Sequence, residues 1–288
     1  MFDIVIVLYQ LKAADSLTIQ TLQQILTFNN LPELRQIFVF DNSSMEDTPV
    51  FTDERFTYRF AEGNQGLAKA YNYVWPKSLM AGCRWLITLD QDTQLTNEYF
   101  IAVINEIKKA NEHVAVIAPI IYDKTQQISP VRNDTLRPLH TSLPMGGETY
   151  RNQVMVINSA AVVSLRFLQQ IVGYNEVFSL DYLDHWLCWK VYQEKEQIKI
   201  LQEALHHQLS VLDYKGSMNV ARYEQILTAE SRFYTEYEDG MVSEYKRQLL
   251  LRSAKQIFKG LFSYAGKTLL QYKMILGEKN GDQTATKK

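Results

Sequence analysis

The stretch Leu86-Ile87-Thr88-Leu89-Asp90-Gln91-Asp92-Thr93 runs apolar and then delivers two carboxylates one residue apart. Residues i and i+2 of an extended chain point the same way, so Asp90 and Asp92 can present oxygens to one hard cation. Mg²⁺ or Mn²⁺ shared with a diphosphate suits such donors. The competing reading has Asp90 capping the next helix and Asp92 solvated. Asp41 ends a second apolar run and is followed by Asn42-Ser43-Ser44. Its carboxylate can accept hydrogen bonds from a nucleobase or ribose, or it can close an Asx-turn. Gly63-Asn64-Gln65-Gly66 opens a helical pattern, where backbone amides can approach a phosphate or ribose. It is not a GxGxxG sequence, and it also reads as an ordinary turn.

A third concentration is Phe178-Ser179-Leu180-Asp181-Tyr182-Leu183-Asp184-His185-Trp186, three ionisable groups among aromatic residues. An acid in such surroundings can serve as a general base. Acids at a helix start also simply complement its dipole. The pair His206-His207 lies between apolar runs. An imidazole there is either a packed or surface residue, or it completes a metal site begun by Asp92.

These residues need a frame that brings them to one rim. Residues 3–9 read as a buried strand and Leu17–Phe28 as a helix capped by Asp15 or Ser16. Gln36–Phe40, Phe56–Phe60, Trp85–Leu89 and 114–120 read as further strands, the last stopped by Pro119. Helices are expected from Gly66 to about Pro76 and over Tyr99–Asn111. Alternation of this kind predicts an α/β, doubly wound, mostly parallel sheet with its ligand crevice at the strand carboxyl ends, where both acidic turns fall. Residues 123–151 read as a polar, mobile loop over the site. Val154–Val163 reads as strand, Leu165–Val172 and Tyr182–Gln193 as helices, and Ile198–Leu201 and His206–Leu212 as two short strands. Helices follow from Gly216 to about Leu276. The expected division is a catalytic domain at 1–215, a basic helical extension at 216–276 and a disordered tail at 277–288.

The chain has 288 residues, 46% of them hydrophobic, which is enough for a substantial core. A net charge of −2 gives no reason to expect a nucleic-acid partner. The charge is uneven, however: from Met241 onward there are ten Lys or Arg against three Asp or Glu. Cys83 and Cys188 have no metal or disulfide spacing and are expected to be buried thiols. The opening run MFDIVIVLY is short, contains Asp3 and lacks a basic start, so no signal peptide is expected, and no segment reaches the length of a membrane span. A cytoplasmic protein, able to touch the membrane surface, is the expectation.

In order along the chain, IVIVLY, FDNSS, EGNQGLAKAYN, LDQDT, INSAAVV, DYLDHWLCWK and HHQLS resemble the motifs of family 2 glycosyltransferases, in particular the rhamnosyltransferase branch of bacterial surface polysaccharide synthesis. The resemblance spans about residues 3–213. It implies a GT-A fold, a nucleotide-sugar donor, Mg²⁺ or Mn²⁺, and inverting transfer, with dTDP-rhamnose as donor and a lipid-linked glycan as acceptor. By the same resemblance Asp41 contacts the base, and Asn64, Gly66 and Asn72 support the donor pocket. Asp90 touches the ribose or a metal-bound water, Asp92 ligates the metal, and Asp184 is the base. Asp181 matches the first acid of the rhamnosyl pattern, and His207 matches the late histidine that contacts metal or diphosphate. Asn158-Ser159-Ala160 departs from the usual Ser-Gly, His185 and Trp186 stand where relatives often carry Glu, and Ser210 replaces a glycine.

The basic C-terminal stretch mixes Lys and Arg with Leu, Ile, Phe and Tyr at near-helical spacing. It suits an amphipathic helix on anionic lipid, or a helix packed on protein, including a homodimer interface. Competing functions are a UDP-hexose-dependent transferase of the same fold, a nucleotidyltransferase and a non-catalytic partner that keeps the fold. Against the nucleotidyltransferase, Tyr9-Gln10-Leu11-Lys12 is not a basic glycine-rich loop.

Overall fold

The structure, a computed structural model, describes residues 1–207 and 218–285, with side chains described through 206 and over 218–277. The apolar opening forms β1 (Phe2–Leu8), buried along its whole length. A strand covered on both faces needs a continuous apolar run rather than alternation. Its one acid, Asp3, is met by the Arg35 guanidinium and the Gln36 amide. Ser16, not Asp15, caps α1 (Leu17–Phe28) by accepting from the Ile19 amide, a contribution of about 1 kcal/mol. Next come β2 (Leu34–Asp41), β3 (Phe56–Phe60), α2 (Leu67–Met80), β4 (Trp85–Asp90), β5 (Thr93–Gln94) and α3 (Asn97–Lys109). After them the chain forms β6 (Val114–Asp123), β7 (Gln126–Ser129), β8 (Val131–Arg132), β9 (Thr149–Tyr150), β10 (Val154–Met155) and β11 (Ala161–Ser164). The first compact unit, residues 1–209, is completed by α4 (Leu165–Gln170), α5 (Leu183–Gln193) and β12 (Gln197–His207).

The main sheet runs β3-β2-β1-β4-β11-β6-β12-β5, with β7 beside β6 and β9 beside β12. Strands β3, β2, β1 and β4 are mutually parallel, as are β6 and β12, and β11 runs antiparallel between the two groups. Strand order reverses around β1, which has β2 on one side and β4 on the other. That switch point is where such sheets open a ligand crevice.

Several local expectations are corrected. Pro119 does not stop β6, because β12 shifts register between Ile200 and Ala204, opposite Ala118 and Ile120. The missing N–H therefore falls at a bulge. Pro76 lies inside α2, which continues to Met80 with Val74 and Ser78 buried on either side. Residues 123–151 are not a single irregular loop: β7 pairs with β6 and β9 with β12, so both ends are stitched to the sheet. The expected strand at 154–163 is broken after Met155, and Ala160 takes a left-handed φ of 60° before β11 begins. The two strands expected at 198–201 and 206–212 are one strand, β12, through His207; residues 208–212 lie outside the described residues. Cys83 and Cys188 are buried free thiols, and burial pushes the Cys188 thiol up to about 12.

The second unit, 210–288, contains α6 (Val220–Arg232), α7 (Val242–Phe258) and α8 (Phe262–Ala285). Residues 286–288 of the expected tail lie outside the described residues. A π-helical turn, Phe233–Tyr237, follows α6. Polar side chains bind these helices: Arg252 grips Glu230 with two hydrogen bonds of 2.6 and 2.7 Å, and Tyr245 reaches both Ser231 and Glu230.

Candidate active site

The register of three strands sets the distance between the acidic turns. Asp90 is level with Val7 of β1, and Asp41 is level with Leu8 on the opposite side. Their backbones therefore stand two strand spacings apart, about 10 Å. The end of β1 ties the turns together: the Tyr9 amide donates to Gln91 Oε1 at 2.8 Å, and the Gln10 amide donates to Ser43 Oγ at 2.8 Å.

Asp41 is buried, and it does close the Asx-turn, accepting from the Ser43 amide at 2.9 Å. Its other oxygen accepts from the Tyr58 hydroxyl at 2.7 Å. Burial, then the bond to Asp41, raises the Tyr58 phenol far above its ordinary pKa, so it remains a donor. A carboxylate has about four lone-pair positions, so two remain for an incoming donor group. Asn42 lies beside it and clasps the glycine loop: Oδ1 accepts from the Gln65 amide at 3.1 Å, and Nδ2 donates to the Gly66 carbonyl at 3.2 Å. Asn64 is exposed, and its Oδ1 accepts from the Gly66 amide at 3.0 Å, so it shapes the same turn.

The turn carrying Asp90 and Asp92 is fixed from beneath. Thr18 Oγ1 donates to the Asp90 carbonyl at 2.6 Å and accepts from the Thr93 amide at 2.9 Å. Ser16 Oγ donates to the Gln91 carbonyl at 2.8 Å. On the far side Ser159 Oγ accepts from the Asp90 amide and bonds Thr93 Oγ1. Ser159 thus braces the metal-type turn, a role its position in the sequence does not reveal. His207 is opposite Thr93 in the β12–β5 register, one residue from Asp92; its side chain lies outside the described residues. Among the described residues no three His, Cys, Asp or Glu side chains gather to hold an ion. The donor set there is hard carboxylate oxygen on a braced turn, which fits Mg²⁺ or Mn²⁺ once phosphate oxygens and water complete the shell.

Helix α2 organises the opposite wall. At its start the Leu67 amide donates to the Ser179 carbonyl at 2.6 Å, so this first-turn amide is used within the protein. At Asn72 the side chain accepts from the Tyr174 amide at 2.8 Å and donates to the Tyr174 carbonyl at 2.9 Å and to Glu176. Asn72 therefore anchors the 173–176 loop. Between these points Tyr71 is fully buried, and its hydroxyl has no hydrogen-bond partner among the described residues. Burial holds that hydroxyl well above its ordinary pKa, reinforced by the charges of Asp90, Tyr174 and Asp184. One phenol thus feels both the strand-end acid and the helix acid.

Asp184 lies in the first turn of α5, preceded by Tyr182 in the left-handed conformation at φ 64°. Its Oδ1 accepts from the His185 amide at 2.9 Å and lies 3.0 Å from His185 Nδ1. The His185 ring stacks on Tyr182 with centroids 4.3 Å apart. Where sequence reading saw a departure, the structure has an imidazole holding the carboxylate. Asp181 is partly exposed one residue before Tyr182.

The strand register thus brings Asp41 and Asp90 to the same end of the sheet, with the glycine loop clasped beside Asp41 and Asn72 anchoring the 173–176 loop. The family model for glycosyl transferase family 2 matches residues 4–171. A dTDP-rhamnosyl transferase, RfbF, from Shigella flexneri is 27% identical over 43% of this chain, a match that spans 42% of that relative's length. The GalNAc-T7 structure with UDP, GalNAc and Mn²⁺ superposes with a TM-score of 0.52 at 14% identity, over 99% of this chain and 57% of that one. A structure of S. aureus TarS 1-349 in complex with UDP has a TM-score of 0.50 at 12% identity, over 98% and 91% of the two chains. The architecture is a GT-A-like mixed, mostly parallel sheet with C-terminal helices. Matched along more than half of its length, the chain belongs to glycosyl transferase family 2.

Proposed function

We propose that the protein is an inverting, divalent-metal-dependent rhamnosyltransferase that moves L-rhamnose from dTDP-rhamnose to a hydroxyl of a lipid-linked glycan in bacterial surface polysaccharide synthesis. The observation that supports the reading is the strand register that sets Asp41 and Asp90 at the ends of the strands on either side of β1, with Asp92 two residues beyond Asp90. The rhamnosyl assignment is supported by the relative named as a dTDP-rhamnosyl transferase and by the Asp181-Tyr182-Leu183-Asp184 sequence. Metal dependence is supported by the carboxylate pair and by the Mn²⁺ of the GalNAc-T7 complex.

In this mechanism Asp41 accepts hydrogen bonds from the base, and the Asn42-clasped loop with Asn64 and Gly66 shapes the donor pocket. Asp92, with Asp90 and His207, would hold Mg²⁺ or Mn²⁺, and the ion would supply electrostatic stabilisation to a diphosphate leaving group. Asp184 takes the proton from the acceptor hydroxyl as that oxygen bonds the anomeric carbon and the carbon–diphosphate bond breaks on the opposite face. His185 keeps the Asp184 carboxylate in its rotamer, and Asp181 takes the role of the first acid of the rhamnosyl pattern.

The test is release of nucleoside diphosphate with dTDP-rhamnose, UDP-glucose, UDP-galactose and UDP-GlcNAc, each with a lipid-linked glycan and with Mg²⁺, Mn²⁺ or EDTA. Metal-dependent turnover of dTDP-rhamnose alone is expected. Turnover of a UDP-sugar instead would retain the mechanism and overturn the donor. Silence with every donor would favour a non-catalytic partner.

A further inference from the structure

The corner between α7 and α8 has its polarity reversed. Facing inward, Gln256, Thr268 and Tyr223 are buried and form a closed ring of hydrogen bonds: Gln256 Nε2 to Tyr223 Oη at 2.9 Å, Thr268 Oγ1 to Gln256 Oε1 at 2.8 Å, and Tyr223 Oη with Thr268 Oγ1 at 2.7 Å. Facing outward are apolar side chains: Phe258 is 93% exposed, Phe262 69%, Ile257 47% and Leu261 38%. An ordinary surface helix puts these types the other way round.

The corner is also closed by backbone hydrogen bonds. The Gly260 amide donates to Ile257 O at 2.9 Å and the Leu261 amide to Gln256 O at 2.8 Å, with Gly260 at φ 71°. Those two bonds make a Schellman closure, so both phenylalanines are presented on a preformed turn and not a loose end. Lys255 and Lys259 flank them and are exposed. From Tyr245 to Gly277 the chain has seven Lys or Arg and no acid. No helix among the described residues is long and apolar enough to cross a membrane.

We propose that this corner is a membrane-docking element in which Phe258 and Phe262 enter the interface of an anionic bilayer while Lys255 and Lys259 meet lipid phosphates. Charge selects the occupant. A second copy meeting the same patch across a two-fold axis would set Lys255 and Lys259 near their own counterparts, whereas an anionic surface neutralises them. Apolar burial plus attraction to anionic headgroups is the pairing of forces that holds interfacial elements.

The experiment is co-sedimentation of the full chain with phosphatidylcholine vesicles containing or lacking phosphatidylglycerol, for wild type, Phe258→Ser/Phe262→Ser and Lys255→Glu/Lys259→Glu. Circular dichroism checks folding, and light scattering after gel filtration gives the oligomeric state. Wild type is expected to bind only the anionic vesicles, with partitioning reduced at least about tenfold in each double variant. No binding by folded wild type would overturn the proposal, as would binding that both folded variants retain. A wild-type dimer that becomes monomeric in the phenylalanine variant would assign the patch to a second copy.

Discussion

Gly66 approaches Ser179 so closely that a Cβ added at Gly66 would lie 2.6 Å from the Ser179 carbonyl oxygen. The contact joins the loop that Asn42 clasps to the segment leading into Asp181 and Asp184. Gly66 also has φ of 82°, so both its conformation and its lack of a side chain are required. Gly66→Ala is expected to destabilise by about 2 kcal/mol or more and to lower kcat/KM by displacing Ser179. Gly63 also has a positive φ, 116°, but open space where a Cβ would stand, so Gly63→Ala is the control that carries backbone strain without the Ser179 clash: it is expected to lose stability and keep near-normal turnover. Thermal denaturation and donor kinetics on both variants check this.

Tyr71→Phe separates chemistry from packing. A buried hydroxyl with no partner costs free energy in the folded state, so its removal is expected to leave Tm unchanged or slightly raised. If the phenol serves Asp90 and Asp184, kcat falls about tenfold despite the intact fold. A normal kcat would make Tyr71 a packing residue only.

Alkaline pH offers a test of the buried phenols. Burial raises Tyr71, Tyr99 and Tyr174 above their ordinary pKa. A raised folded-state pKa favours folding at every pH below the unfolded value of about 10, and that contribution is lost as pH climbs further. Stability should fall above pH ~10, and tyrosinate absorbance from these residues should appear only together with loss of far-ultraviolet circular dichroism. Reversible ionisation of all 17 tyrosines near pH 10 in a folded protein would contradict the account.

In the second unit, Glu230→Gln leaves Arg252 without its charged partner. Those side chains are 10% and 27% exposed, and loss of a pair so enclosed is expected to cost about 2–3 kcal/mol. Urea unfolding, with the parallel Lys267→Ala change at the more exposed Glu224 pair as a mild comparison, measures it.

The parallel half of the fold was legible because β1 and β4 carry nearly continuous apolar runs, because β2 and β4 end in acidic turns, and because Ser16 signals the start of α1. Pro119 misled, since only the register of β12 reveals a bulge opposite it. Asp41 and Asp90 were visible for the same reason as the strands, since each ends one, and Asp184 stood out by its aromatic neighbours at a helix start. Their supports were not, because Ser159 reaches the Asp90 amide 69 positions away and Asn42 reaches Gln65 and Gly66 23 and 24 positions away, through contacts that only tertiary structure creates. The reversed corner at Phe258 was equally hidden, since a mixed Lys and Leu composition does not say which face is buried.

The central claim is that Asp184 removes the acceptor proton while the other acids hold the donor. Its most direct test is Asp184→Asn with dTDP-rhamnose and Mn²⁺, measuring donor binding by calorimetry and rhamnosyl transfer to a lipid-linked glycan by product mass. The account predicts binding within about threefold of wild type and transfer lowered by about 10³ or more, since the general base is lost and the donor site is kept. Near-normal transfer by the variant would contradict it.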